Sequence, residues 1–204
     1  MPRKSGATRV PNAKRRAESR ARILRIAAQI FADRGFDGTR IEEIARRAKC
    51  NRALVYFYFP SKRHLFEAAL KETVTLRRQQ MGARPATLAD IMIYWSEEHR
   101  RDPQPIRLLM QEGLAAAKDR AFSPPERGSY YDEQVAGVAM LQKAGLLRAD
   151  ITAREAFAIG LAVTSFPALL PQVTEALTGP DQPRGWEHVL RVLARLLGPP
   201  SKDR

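Results

Sequence analysis

The side chains with the most chemistry to offer lie in one short stretch, CNRALVYFYFPSK, residues 50–62. It carries an amide (Asn51), a guanidinium (Arg52), two phenols (Tyr56 and Tyr58) and an ammonium (Lys62). Amide and guanidinium forks match the edges of nucleic-acid bases, and hydroxyls and cations match phosphate oxygens. The aromatic run at residues 56–59, preceded by Val55, admits four readings. It could be a buried strand, a membrane-surface segment, a base-stacking platform, or a helix showing its aromatics to two partners. Catalytic chemistry finds less support. His64, His99 and His188 lie far apart, with no His-x-x-x-His pair, no glycine-rich phosphate loop and no Ser/His/Asp pattern that stands out. The single Cys50 excludes an internal disulfide framework and a cysteine-based zinc site, and reads as a small buried hydrophobe in a reducing compartment. The sequence therefore predicts a protein that is not an enzyme and holds no metal and no cofactor.

Charge narrows the partner. The formal net charge is +13, and residues 1–80 hold 20 Lys and Arg against 7 Asp and Glu, whereas residues 81–204 hold 15 of each. This split predicts a polyanion-binding module joined to a neutral body with a different task. A purely structural nucleoid-type protein needs the basic charge but not the body. Double-stranded DNA is the expected partner. The first twenty residues have no apolar core, so they do not read as a secretory signal. The most membrane-like run, AFAIGLAVTSFPALLP at 156–171, is short of the ~20 apolar residues a span requires. A cytoplasmic protein with no membrane partner is expected.

The elements that must hold these groups are helical throughout. Residues 1–17 read as a disordered basic arm. A helix is expected from about Glu18, with Ile23, Ile26, Ala27, Ile30 and Phe31 on one face, ending near Gly35. Thr39 followed by Glu42 reads as a capping box for a short helix with Ile41, Ile44, Ala45 and Ala48 on its inner face. Asn51 caps another short helix, which Pro60 ends, and Ser61 caps a long helix over 61–80. Beyond it, apolar stripes at Leu88/Ile91/Met92/Trp95 and Ile106/Leu109/Met110/Leu114 predict two helices. A third runs from about Ser129 to Ala144, a fourth opens on a Thr152/Glu155 capping box, and the last carries Trp186, Val189, Leu190, Leu193, Leu196 and Leu197. The fold class is all-α.

Two short helices joined by a tight turn are the outline of a helix-turn-helix, and that reading resolves the aromatic run. Leu54, Val55 and Phe59 are expected inside, while Tyr56 and Tyr58 point outward with their hydroxyls available to phosphate. The stretch ILRIAAQIFADRGFDGTRIEEIARRAKCNRALVYFYFPSKRHLF resembles the TetR family of bacterial transcriptional repressors. The resemblance covers roughly residues 18–70 and rests on Phe31, the Gly35-Phe36 pair, Thr39, Ile44-Ala45, Ala48, Tyr56, Phe59 and Lys62. The chain departs from the family pattern in the turn, where Lys49 stands for the usual glycine, Cys50 for an aliphatic residue and Asn51 for Ser or Thr. Keeping the same turn would put Lys49 in the left-handed region.

The resemblance implies a helix-turn-helix domain over 18–62, a linking helix over 61–80, and a ligand-binding and dimerisation domain over 81–204. Thr39 and Lys62, at or beside helix N-termini, are expected at phosphates. Asn51, Arg52 and Ala53 begin the recognition helix and are expected at base edges, Arg52 on guanine and Ala53 on a thymine methyl. Arg40 adds sequence-independent attraction, with Arg46, Lys49, Arg15 and Arg16. Such a protein is a homodimeric repressor released from a palindromic operator by a small molecule, whose identity the sequence does not name. The second possibility is a non-sensing architectural DNA-binding dimer. Candidate pocket walls are Trp95, His99, Met110, Phe122, Tyr130 and Tyr131. Candidate dimer contacts are Phe157, Leu161, Phe166, Leu190, Leu193 and Leu197.

Overall fold

The computed structural model describes residues 12–79, 87–118, 127–179 and 185–199. The chain divides into two compact units, Met1–Leu76 and Arg77–Arg204. Among the described residues all regular structure is helical, as the apolar periodicities predict. The first unit contains α1 (Asn12–Gly38), α2 (Ile41–Arg47), α3 (Arg52–Tyr58) and most of α4 (Lys62–Gln79). The second contains α5 (Leu88–Arg101), α6 (Gln104–Lys118), α7 (Arg127–Lys143), α8 (Ala153–Leu169), α9 (Pro171–Thr178) and α10 (Gly185–Leu197).

The first helix starts earlier than expected. Residues 12–17, assigned above to a disordered arm, are helical, and the rest of that arm lies outside the described residues. The segment NAKRRAESRAR is rich in Ala, Arg, Lys and Glu, all good helix formers, and its charge disguised that propensity. Further along, α1 breaks at Gly35, whose φ of 72° few other residues tolerate, and a last turn carries it to Gly38. Phe31 and Phe66 are fully buried. Phe31, Phe36 and Phe66 form an aromatic triad, Phe31 against Phe66 edge-on at 5.0 Å and Phe36 against Phe66 edge-on at 5.7 Å.

One expected cap forms and another does not. Thr152 and Glu155 make both bonds of a capping box at the start of α8: Glu155 N donates to Thr152 Oγ1 at 3.2 Å and Thr152 N to Glu155 Oε2 at 2.7 Å. Thr39 and Glu42 do not. The Thr39 hydroxyl donates to the Gly35 carbonyl at 2.7 Å and is buried, so Arg40, in extended conformation, becomes the N-cap of α2 without a side-chain bond. Ser61 caps α4 as expected, its Oγ accepting from His64 N at 3.1 Å.

In the second unit, α8 packs against α5, α6, α7 and α10. Met92, Leu190 and Ala194 form one buried cluster, and Leu147, Ala156 and Leu197 another. Helix α9, which periodicity did not reveal, follows α8 after a bend of 96° at Leu170. No single helix among the described residues is long and apolar enough to cross a membrane.

Pro167 lies inside α8 and has no N–H for the carbonyl four residues before it, that of Val163. The indole of Trp186 supplies the missing donor, Nε1 to Val163 O at 3.1 Å, while its ring stacks on Phe166 at 5.0 Å and 9°. Thus α10 is keyed to α8 at the point where a proline leaves an acceptor open. Trp186→Phe should lower stability by about 1–3 kcal/mol, the cost of an acceptor left unsatisfied. The loss should shrink in a Pro167→Ala background, where the backbone N–H returns. Urea midpoints followed by far-UV circular dichroism would show that non-additivity; equal losses in both backgrounds would refute the pairing.

Candidate nucleic-acid interface

The turn between α2 and α3 is built from backbone bonds. Cys50 N donates to Ala45 O at 3.0 Å and Lys49 N to Arg46 O at 3.2 Å, the paired bonds of a Schellman closure. Lys49 occupies its left-handed position with φ 51°, so the turn keeps its shape without glycine. From α1, Arg22 Nε donates to Ala48 O at 2.9 Å and fixes the turn to the first helix. Cys50 is half-buried, and burial pushes its thiol pKa up, with the Arg22 guanidinium opposing. Asn51 caps α3 as expected, its Oδ1 accepting from Leu54 N at 2.8 Å.

Helix α3 divides its faces sharply. Val55 and, just past the helix end, Phe59 are buried, with the Arg20 guanidinium 5.4 Å from the Phe59 ring centroid. Leu54, expected inside with them, is half-buried. On the outer side, Asn51, Arg52, Ala53, Tyr56 and Phe57 are exposed. Arg52 Cζ lies 5.3 Å from the Tyr56 ring centroid, and Arg52 Nη1 is 2.9 Å from Glu42 Oε1. Tyr58 departs from expectation. It is half-buried, and its hydroxyl donates to the Arg16 carbonyl at 3.2 Å, so it ties α3 to α1 rather than standing free for phosphate.

The remaining expected DNA contacts sort differently. Arg40 is exposed at the start of α2. Thr39, expected at a phosphate, is 2% exposed, and its hydroxyl is committed to Gly35, so its side chain is structural. Lys62 is half-buried at the first residue of α4, its Nζ 4.7 Å from the Phe36 ring centroid and 3.4 Å from the Asp37 carbonyl. Burial lowers its pKa, with Asp37 opposing. Two residues absent from the expected set stand out. Phe57, 68% exposed, is one turn beyond Ala53, and Glu42 grips Arg52. Helical spacing from Ala53 would have found Phe57; nothing local signalled Glu42. The neighbouring Glu43 meets Arg47 at 2.9 Å, Arg34 at 3.3 Å and Arg46 at 3.5 Å. Desolvation alone would raise its carboxyl, but the three guanidinium groups hold it below the usual value.

The body residues expected at a pocket or interface are scattered. Trp95 is half-buried, and its ring centroid lies 6.0 Å from that of the buried His99. Tyr131 is half-buried, 6.1 Å from Phe157. Met110 is exposed. Phe122 and the side chain of Tyr130 lie outside the described residues. Among the described residues, an open depression of about 330 Å³ at Glu97, Glu98, Arg100 and Arg101 includes none of the expected walls. Among the expected dimer contacts, Leu190 and Leu197 are buried in the protomer's own core and Phe166 stacks on Trp186, because the inner stripe of α10 serves α5 and α8. Phe157, Leu161 and Leu193 are half-buried, and Ile159, Val189, Val192 and Leu196 are the exposed aliphatics of α8 and α10.

Comparison with known proteins agrees with this geometry. The family model for bacterial regulatory proteins of the tetR family matches residues 23–69, and the model for the tetracyclin repressor-like C-terminal domain matches residues 94–195. The chain is 33% identical over 181 residues to the transcriptional regulator RutR of Escherichia coli O157:H7, covering 84% of this chain and 82% of RutR. It is 28% identical over 161 residues to the transcriptional repressor SCO4008 of Streptomyces coelicolor, covering 79% and 84%. Among solved structures it resembles AibR, crystallised with isovaleryl coenzyme A and operator DNA, with a TM-score of 0.58 at 20% identity over 88% of this chain and 98% of that one.

The left-handed Lys49 gives a direct test of the turn. A left-handed non-glycine residue costs ~1–2 kcal/mol, and glycine returns part of that through its larger unfolded-state entropy. Lys49→Gly should therefore raise hydrogen-exchange protection across α2 and α3 by about 0.5–1 kcal/mol. A drop in protection would mean that the lysine side chain stabilises the turn.

Proposed function

The chain belongs to the TetR family of bacterial regulatory proteins and is a DNA-binding transcription regulator; from that premise we propose that it is a ligand-released repressor that binds a palindromic operator as a homodimer. The observation that carries the DNA half is the outer face of α3, where Arg52, Ala53, Tyr56 and Phe57 stand exposed while Val55 and Phe59 hold the helix down. Arg52 reads guanine through O6 and N7, and Ala53 and Phe57 meet apolar base edges. Tyr56, Arg40 and Lys62 contact phosphates. Tyr58 leaves that set, because its hydroxyl is occupied by α1.

Dimerisation is supported by the exposed Ile159 on α8 and Val189, Val192 and Leu196 on α10, two helices that pack together and present aliphatic side chains outward. A sensing body is supported by polar side chains buried within its helices: Ser96 and His99 on α5, Glu112 on α6 and Thr164 on α8. Such groups are costly to bury without partners, and Thr164 meets that cost by donating its hydroxyl to the Gly160 carbonyl at 2.8 Å; a bound effector would exchange bonds of this kind for bonds to itself. AibR, with its isovaleryl coenzyme A and operator, offers a precedent for both halves. Helix α4 spans the boundary between the two units, at residues 76 and 77, and is the element through which an effector would act.

The test begins with duplexes enriched from a randomised pool by the wild-type protein. A two-fold symmetric consensus bound by a dimer is expected. Arg52→Ala should relax preference at one base position by about 1–3 kcal/mol. Lys62→Ala should weaken all sequences about equally and flatten the salt dependence by roughly one unit. A monomer protecting an asymmetric site would overturn the dimer reading. Any small molecule that shifts the melting temperature should bind more weakly in the presence of the enriched duplex, by the same factor by which it weakens DNA binding. Equal affinity with and without duplex would favour the architectural alternative.

A further inference from the structure

Glu42 is an odd residue to find where it stands. It lies in the first turn of α2, exposed, with its Oε1 2.9 Å from Nη1 of Arg52. Glu42 and Arg52 are both more than half exposed, and an ion pair of that kind contributes little to stability. The Thr39 hydroxyl, bonded to Gly35, leaves Glu42 no part in capping. A carboxylate on a surface that meets a polyanion also works against affinity, because it repels phosphate. Its evident return in folding is its place in the first turn of α2, where a carboxylate favours the helix dipole, and Glu43 in the same turn supplies that as well.

What Glu42 does supply is order. Arg52 is held on two sides, by the carboxylate at Nη1 and by the Tyr56 ring, whose centroid is 5.3 Å from Cζ. The ion pair uses one end of the guanidinium fork. We propose that Glu42 is a positioning residue for Arg52, fixing its guanidinium for base reading and withholding it from phosphates, so that the chain trades affinity for selectivity. A free arginine at the tip of a recognition helix satisfies itself on any nearby phosphate, whatever the sequence. An arginine already paired and stacked loses less side-chain freedom on binding guanine and has less to gain from a phosphate. The proposal rests on the DNA-reading role given to α3.

The experiment compares the wild type with Glu42→Ala, Glu42→Gln, Arg52→Ala and the Glu42→Ala/Arg52→Ala double variant. The probes are the duplex enriched by the wild type, the same duplex changed at the position that Arg52→Ala relaxes, and a random duplex. Glu42→Ala should bind the random duplex about two- to fivefold more tightly, since one repelling charge is gone. It should lose roughly five- to tenfold of the preference at the Arg52 position. Glu42→Gln, which keeps an acceptor, should retain part of that preference. In the Arg52→Ala background, removing Glu42 should change only the overall affinity. Preference that survives Glu42→Ala, or that falls at a different base pair whether or not Arg52 is present, overturns the proposal; the second result would make Glu42 a direct reader, for instance of a cytosine amino group. If the wild type enriches no duplex at all, the DNA-reading role of α3 falls as well.

Discussion

The bond from the Thr39 hydroxyl to the Gly35 carbonyl, 2.7 Å long and buried, decides how the first unit is assembled. Gly35 takes a positive φ that breaks α1, and its carbonyl needs a partner away from water. Thr39 meets that need from four residues on, which moves the start of α2 to Arg40. From there Ile41, Ile44 and Ala45 face inward. The Schellman turn at residues 45–50 then starts α3 at a fixed angle, and Glu42 stays at the surface beside Arg52. One hydroxyl that caps backward rather than forward thus sets the register of both short helices and leaves a carboxylate on the exposed side of α3, beside Arg52.

The second unit solves a comparable problem by other means. There the open acceptor is created by Pro167, and the donor comes from Trp186 on another helix. The loop after α7 treats the end of α10 similarly. Arg148 donates its backbone N–H to Leu197 O at 2.8 Å and Nη1 to Leu196 O at 3.2 Å, while Asp150 pairs with the same guanidinium. Both ends of α10 are therefore fastened through polar groups, which leaves the aliphatic side chains between them free to serve two surfaces. Leu190 and Leu197 serve the protomer's own core, and Val189, Val192 and Leu196 face outward.

Much of this was legible in the sequence where the cause is local. The Asn51 cap, the Ser61 cap and the Thr152/Glu155 box each depend on a few consecutive residues and form as expected, whereas the left-handed Lys49 followed only on the condition that the family's turn was kept. The misreadings share a different origin. Thr39 and Glu42 have the same spacing as the box that does form, but a glycine carbonyl on the preceding helix competes for the hydroxyl. Tyr58 has the periodicity of an outward residue, yet its hydroxyl finds a carbonyl of Arg16, 42 positions earlier. Leu190 and Leu197 belong to the same wide stripe as Val189 and Leu196, and only the placement of α5 and α8 separates the inner from the outer members. Helix α9, only eight residues long with Pro171 as its first, is hidden because it buries no residue completely and so carries no long apolar stripe. Periodicity identifies a face; the neighbour that takes it is decided by tertiary structure.

The early start of α1 changes what its cations can do. Lys14, Arg15 and Arg16 are already helical, and the Tyr58 hydroxyl fixes the backbone of Arg16 to α3. A flexible arm would sweep a large volume, catch a duplex at a distance and then surrender its conformational freedom on docking. These three charges instead travel as part of a rod at a set spacing from the recognition helix. They give up no backbone freedom on contact, but their reach is that of the rod and not of a swept volume. On the DNA-reading role proposed for α3, the rod presents these charges to a duplex in one orientation relative to that helix.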